Sequence, residues 1–249
     1  MATTTVENYL KQIYVAQLAG DAGRLVAMGD LASAVGVTAG TATTMVKGLG
    51  EAGYVHYTPR GGVRLTEDGE RLARQILRRH RLIEQFLVEV VGLDWSEVHD
   101  EAEELEHAVS DKLLARMDAL LGHPTTDPHG DPIPPDASLP RWHRRWLDSP
   151  EAGETLESLA DCRVGRAARV SRVLEQTPDF LRFLNDVGLI PGATATVLRR
   201  DEAADSAVLK VLGVGEVTVG LAAAAKVLVG AVPASREGVE DPSPANVTR

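Results

Sequence analysis

Residues 122–140, GHPTTDPHGDPIPPDASLP, hold six prolines in nineteen positions. Proline lacks the backbone N–H that helices and central strands need, so neither regular element can run through this stretch. The chain of 249 residues must therefore be built in parts on either side of it, a length that suits two modest domains. We read residues 122–150 as an ordered connector passing into a looser linker. A plain linker without function is its simplest account.

Upstream of the break the apolar residues recur at helical spacing. Over residues 4–19, Val6, Leu10, Ile13, Tyr14 and Leu18 share a face. Glycines at 20, 23 and 29 interrupt the pattern. DLASAV opens a short helix at Asp30, Gly36 and Val37 turn the chain, and TAGTATTMVKGLGEAGY reads as a second helix with Thr38 as its cap. Gly53 ends it, and YVHYTPRGGVRLT follows as two short strands joined around residues 59–62. A helix pair followed at once by a basic-tipped hairpin is the order of a winged helix-turn-helix, a DNA-reading arrangement. Thr66 is placed to cap a long helix to about Val91, Gly92 breaks it, and residues 94–120 are expected to form one further amphipathic helix.

Downstream, CRVGRAARVSRV, TATVLRR, AVLKVLG and GEVTVG are short Val-rich segments between turn residues. They predict a small antiparallel barrel, with DFLRFLNDVGL as an inserted helix. Residues 235–249 contain Pro242 and Pro244 and little apolar material, the composition of a disordered tail. The single cysteine, Cys162, excludes a disulfide framework and a thiolate-rich zinc site, and suits a reducing cytoplasm. No apolar run is long enough to span a bilayer and the first twenty residues have no signal-peptide layout, so no membrane partner is expected.

A formal net charge of -10 argues against a polyanionic partner. The charge is unevenly spread, however. Residues 1–80 hold nine basic against seven acidic side chains, whereas residues 81–123 hold three against eleven. Acid clustered with histidine suits a cation site, and a bound divalent ion would offset part of the repulsion. A solvated acidic helix face is the plainer alternative.

The second helix of the reading pair begins with small and hydroxyl-bearing residues: Thr38, Ala39, Thr41, Thr43 and Thr44. A slim first turn can approach base edges, with Thr hydroxyls meeting bases or phosphates and Thr methyls meeting thymine methyls. Capping and exposed helix surface would also account for them. Lys47, one turn on, is placed for a phosphate, and Arg60 and Arg64 in the hairpin for the backbone or minor groove.

Two later stretches carry metal-binding chemistry. In RRHRLIEQFL, His80 and Glu84 stand four apart on one helix face; in HDEAEELEH, His99, Glu103, Glu106 and His107 fall along one stripe. Imidazole nitrogens and carboxylate oxygens together suit a hard or borderline divalent ion such as manganese or iron. Spacing alone fits a metal site and a set of surface salt bridges equally. His-Glu-x-x-His, a Walker loop and a dinucleotide glycine motif are all absent. A cytosolic metallohydrolase, with the cluster activating water, would leave the DNA-reading front end unexplained. A repressor sensing an organic ligand and a constitutive architectural DNA binder are further alternatives.

Taken in order, VENYLKQIY, the helix-turn-helix of residues 30–54, LTEDGERLARQILRRHRLIEQFL, VGLDWSEVHDEAEELEHAVSD and DPHGDPIP resemble the diphtheria toxin repressor family of metalloregulators, over nearly the whole chain except its tail. The resemblance implies a mainly α N-terminal winged helix-turn-helix with a helical dimerisation domain, followed by a small all-β SH3-like barrel. The expected divisions are a DNA-binding domain at 1–74, a metal-binding and dimerisation domain at 75–141, a linker at 142–154, the SH3-like domain at 155–232 and a tail at 233–249. It further implies a homodimer that represses metal-uptake genes by binding double-stranded operator DNA when activated by manganese or iron.

By that resemblance His80, Glu84 and His99 form one metal site, completed from the C-terminal domain by Gln176 and Asp179, with Glu175 as a neighbour. Glu103, Glu106 and His107 form another, drawing Asn8 from the first helix. The family's iron-sensing branch places cysteine where Glu103 stands, and its manganese-sensing branch glutamate. An oxygen donor in place of sulfur favours the harder ion, so Mn2+ leads, with Fe2+ as the alternative and Co2+ or Ni2+ as substitutes in vitro. Two positions depart from the family: Asn8 stands where methionine or aspartate is usual, and Lys11 where the short manganese sensors carry glutamate.

Overall fold

In a computed structural model of the chain the described residues are 3–19, 24–135 and 155–232. The linker expected at 142–154 and the tail at 233–249 lie outside them. The chain divides into two compact units, Met1–Gly153 with Glu175–Leu184, and Glu154–Leu174 with Asn185–Arg249.

The first unit opens with α1 (Thr4–Leu18), α2 (Met28–Ala34) and α3 (Ala39–Glu51). Thr38 caps α3 as expected, its hydroxyl accepting from the Thr41 N–H at 3.2 Å. Strands β1 (Val55–Thr58) and β2 (Gly62–Leu65) form the antiparallel hairpin, and Val26 bridges to Val63 from outside. Gly62 is required at this junction: its φ is 125°, and a Cβ there would collide with the Val26 carbonyl oxygen. Leu10 and Ile13 of α1 and Ala42 and Val46 of α3 share one buried core with Val63 of β2 and Ala73 of the next helix.

That helix, α4 (Glu67–Phe86), is capped by Thr66, which accepts from the Gly69 N–H at 3.1 Å. Glu67, Asp68 and Glu70 crowd its first turn, where the positive end of the helix dipole favours them. A π-helical turn, Leu87–Val91, extends it to Gly92, whose φ of 81° ends the run. The single helix expected at 94–120 is instead two, α5 (Val98–Leu105) and α6 (Asp111–Leu120). Ser110 caps the second by accepting from the Leu113 N–H. Between them the amides of Ala108 and Val109 both donate to the Leu105 carbonyl. The apolar spacing concealed this turn because Ala102 and Val109, on either side of it, enter the same small core with Ile83, Leu87 and Val98.

Residues 122–135 are the described part of the connector read at 122–150. Asp127 Oδ1 accepts from the backbone amides of His129 and Asp131, both at 2.9 Å, closing a tight loop.

The second unit is built on a six-stranded antiparallel sheet with strand order β3-β8-β4-β5-β6-β7. Its strands are β3 (Glu157–Ser158), β4 (Ala167–Val173), β5 (Thr194–Asp201), β6 (Ser206–Val211), β7 (Gly215–Gly220) and β8 (Val227–Ala231). Register shifts at Val170/Arg172 and Val197/Arg199 bend β4 and β5. Val170, Val197, Leu209 and Val227 are fully buried on its inner face. The helix expected in DFLRFLNDVGL is α7 (Pro178–Asp186), whose residues up to Leu184 belong to the first unit instead; a single turn, α8 (Leu221–Ala224), precedes β8.

Candidate metal centre

Helix α4 directs His80 and Glu84 from adjacent turns toward the start of α5, where His99 stands. His80 Nε2 lies 3.0 Å from Glu84 Oε1 and 3.3 Å from His99 Nδ1, and His99 Nδ1 lies 3.2 Å from Glu84 Oε1. One oxygen and two ring nitrogens thus converge. Separations near 3 Å are the edges of a coordination polyhedron with bonds of about 2.1 Å. The other ring nitrogen of His80, Nδ1, is 2.7 Å from Glu106 Oε2. A proton held there leaves the Nε2 lone pair facing Glu84 and His99, the arrangement in which a carboxylate fixes the tautomer of a ligating histidine. Glu103 stands at the edge of this group, its Oε1 3.7 Å from His99 Nε2. The donor set fits a hard or borderline divalent ion.

Without such an ion the charges settle among themselves. Burial disfavours the charged His80 ring, yet its bonds to Glu106 and Glu84 push it up to about 9. Burial likewise opposes ionisation of Glu84, but hydrogen bonds from His80 and His99 hold it far below the usual carboxylate range. Glu106 is lowered too: His80 and Lys11 outweigh its desolvation. A proton on His80 accordingly neutralises the group, and a metal ligand must give that proton up.

A second group lies beside the first. Glu103 is on α5, while Glu106 and His107 sit in the turn after it, not on the continuous helical stripe their spacing suggested. Helix α1 meets them from the other side. His107 Nε2 is 2.9 Å from Asn8 Oδ1, and its Nδ1 is 2.7 Å from Glu7 Oε2. The Lys11 ammonium donates to Glu103 Oε1 at 2.6 Å and to Glu106 Oε1 at 2.8 Å, with the residue only 2% exposed. Glu106 belongs to both groups, one oxygen on His80 and the other on Lys11.

Glu84 also approaches a third, fully buried trio with Asp127 and His129. Here the side chains serve the loop. His129 Nε2 donates to the Trp95 carbonyl at 2.9 Å, and Asp127 Oδ1 already holds two amides. Arg81 pairs with Asp127 and Asp131 at 3.3 and 3.4 Å and donates to the Pro132 carbonyl, pinning the loop to α4. Burial, together with the charges of Glu84 and Asp131, raises the Asp127 carboxyl well above its ordinary value.

The structure therefore brings together His80, Glu84, His99, Glu103, Glu106, His107 and Asn8. Gln176 is placed elsewhere: its amide donates to Asp131 Oδ2 at 2.9 Å. Asp179 stands apart on the first turn of α7, pairing with Arg182 at 2.6 Å with a side chain 95% exposed, while Gln176 precedes that helix. Sequence reasoning missed Glu7, one residue before Asn8, and the buried Asp127, His129 and Arg81. For Asp127 and His129 the linear signal was the compact run DPHGDP.

On the DNA-reading side Thr38, Ala39, Thr41, Thr44 and Lys47 are exposed and Thr43 is half-buried. The Thr43 and Thr44 hydroxyls donate back to the Ala39 and Gly40 carbonyls, and those of Thr38 and Thr41 meet at 3.0 Å. Their lone pairs remain available to base or sugar donors. Arg60 is exposed at the hairpin tip with a φ of 63°. Lys47, Glu51, His56 and Arg64 line an open hollow between α3 and the hairpin.

Comparison with known proteins agrees with this architecture. Residues 1–63 match the family described as iron dependent repressor, N-terminal DNA binding domain; residues 66–135 match its metal binding and dimerisation domain; residues 157–230 match the FeoA domain, an SH3-like fold. The iron-dependent repressor IdeR of Mycobacterium tuberculosis is 31% identical over 194 residues, covering 78% of this chain and 83% of its own. The regulator MntR of Lysinibacillus sphaericus is 33% identical over 121 residues, 49% of this chain and 84% of its own. Among solved structures, a manganese-dependent transcriptional repressor in complex with manganese superposes with a TM-score of 0.74 at 38% identity, over 91% of this chain and 100% of that one.

Proposed function

Because the chain belongs to the diphtheria toxin repressor family of metal-dependent transcriptional regulators, we propose that it is a manganese-activated homodimeric repressor, acting in the cytoplasm on operator DNA of metal-uptake genes. As a member of that family it is a DNA-binding regulator and not an enzyme. The observation that carries the metal reading is the convergence of His80, Glu84 and His99 within 3.3 Å of one another. Glu103 beside them supplies oxygen where a thiolate would favour softer ions. The solved manganese-dependent relative at 38% identity supports the choice of metal. Iron activation is the second reading, favoured by the 31% identity to the iron-dependent repressor. Co2+ or Ni2+ would substitute in vitro by their affinity order.

When bound, a divalent ion supplies positive charge to this acidic segment. His80, Glu84 and His99 would hold one, and Glu103, Glu106, His107 and Asn8 surround a second place for one; Gln176 and Asp179, which the resemblance nominates for completing the first, would have to leave Asp131 and Arg182 to do so. Helix α1 links these groups to DNA, for it carries Asn8 into the second group and Leu10 and Ile13 into the core beneath α3. A cation that favours one placement of α1 favours one placement of the reading helix, provided the two placements differ in their affinity for it. Val90, Val91, Leu113 and Leu120 leave apolar surface exposed on the dimerisation segment, which suits a second copy of the chain. Two linked reading heads then gain through effective concentration. Thr38, Ala39, Thr41, Thr43 and Thr44 would face the major groove, with Lys47 and Arg60 on phosphates.

The test is duplex binding at fixed ionic strength, using DNA selected from a random pool by the Mn2+-loaded chain. Chelator should weaken binding by about 100-fold, near the upper end of allosteric couplings. Lys47→Ala and Arg60→Ala should each lower the salt slope by about 1. Equal affinity with Mn2+ and in chelator would overturn the switch.

A further inference from the structure

The Glu103–Glu106 carboxylate pair already has a cation. Lys11 reaches it from α1, across 92 and 95 residues of sequence, with hydrogen bonds of 2.6 and 2.8 Å. The Lys11 side chain is 3% exposed and that of Glu106 is wholly buried, so water screens this contact little. Helix geometry makes the placement specific. Lys11 lies three residues beyond Asn8, on the same face, so the amide oxygen and the ammonium enter one group from adjacent turns. An ammonium at hydrogen-bond distance from two carboxylate oxygens takes the place a divalent ion would need between them. Among the described residues the ligand atoms of His80, Glu84 and His99 face one another with no such side chain between them.

We propose that Lys11 is a tethered cation occupying the Glu103–Glu106 pair, so that this second group accepts a divalent ion only as Lys11 leaves, whereas the group of His80, Glu84 and His99 fills without that competition. The inference deepens the metal-dependent reading above and rests on it. Its consequence is a chain whose two groups differ in metal affinity because of one side chain on α1. Loading of the second group is then tied to movement of Lys11 itself, on the helix that supports the DNA-reading core.

The test measures stepwise Mn2+ binding to the full, metal-free chain by equilibrium dialysis with metal analysis. Lys11→Met removes the charge while keeping the length. It should tighten the weaker binding step by about tenfold or more and leave the tighter step nearly unchanged. Lys11→Arg should behave as the parent. Arg79→Gln removes a positive charge nearby, from a guanidinium that donates to the Glu106 carbonyl and Asp111 and not to the Glu103 or Glu106 carboxylates, and should tighten binding less. The gain should vanish in Lys11→Met/His107→Ala.

A Lys11→Met isotherm superimposed on the parent's would overturn the proposal while leaving the metal-dependent reading intact if both bind Mn2+. An equal gain from Arg79→Gln would overturn it too, by tracing the effect to general charge. A chain that binds no Mn2+ with or without Lys11 would instead sink the metal-dependent reading, and this inference with it. If Lys11→Met is unstable without metal, the readout becomes the Mn2+-induced rise in Tm. That rise should exceed the parent's; a rise no larger overturns the proposal.

Discussion

The two side-chain groups around Glu106 use the same residue types but balance their charge differently. In the upper one, His80, Glu84 and His99 sit on α4 and α5, and the positive charge is a proton on an imidazole pushed up to about 9. In the lower one, Glu103, Glu106 and His107 meet α1, and the positive charge is the Lys11 ammonium. A proton exchanges with solvent and yields to a metal at the cost of a pH-dependent term. An ammonium on a four-carbon stem has to be moved. On the proposal above, the order of filling is set by what already neutralises the ligands and not by the ligand inventory.

Removing the residue both groups share should have the largest effect. Glu106→Ala leaves His80 and Lys11 without a buried counter-charge and should destabilise the metal-free chain by about 3–5 kcal/mol in urea unfolding with chelator. A loss below 1 kcal/mol would show that the groups do not depend on their common carboxylate.

The next prediction separates a proton from an ammonium. His80 binds its proton more tightly in the folded chain, about 9 against an ordinary 6.5, so it stabilises the metal-free fold. That contribution, about 3 kcal/mol, is fully present below pH 6.5 and is lost as pH rises through 9. Unfolding free energies measured between pH 6 and 10 should fall accordingly, and the fall should be abolished in His80→Gln. A flat profile in the parent would put the neutralising charge elsewhere.

A smaller contrast concerns the metal. His99→Ala should weaken Mn2+-dependent DNA binding by about 100-fold, the upper end of what even outer-shell partners cost. His107→Ala should cost about tenfold, since its group already holds a cation. Fluorescence anisotropy on labelled duplex across a Mn2+ titration reads both, and a reversed order would overturn the ranking of the two groups.

Much of this was legible in the chain. Thr38 and Thr66 announced their helices and cap them through the expected hydroxyls. His80 and Glu84, four apart on a twenty-residue helix, had to share a face. The turn at residues 106–110 was not legible from apolar spacing, because a break that keeps Ala102 and Val109 in one core leaves the periodicity looking whole. Ser110 before Asp111 was its one local sign, a cap without a declared helix end. Long-range pairings left still less trace. Nothing near Lys11 marks it as the partner of Glu103, and nothing in DPHGDP says that its acids face Arg81. Charge partners far apart in sequence are chosen by packing, which local patterns do not encode.

Helix α1 is also a mechanical part. Leu10 and Lys11 are neighbours in sequence, turned about 100° apart around the axis. One is sealed at 0% exposure in the core under α3 and the other is held between carboxylates. Such a rod has no idle side on which to absorb a displacement. A roll that withdraws Lys11 would be felt at Leu10 within the same turn, so on the proposed switch the path from ion to DNA would be one helix thick.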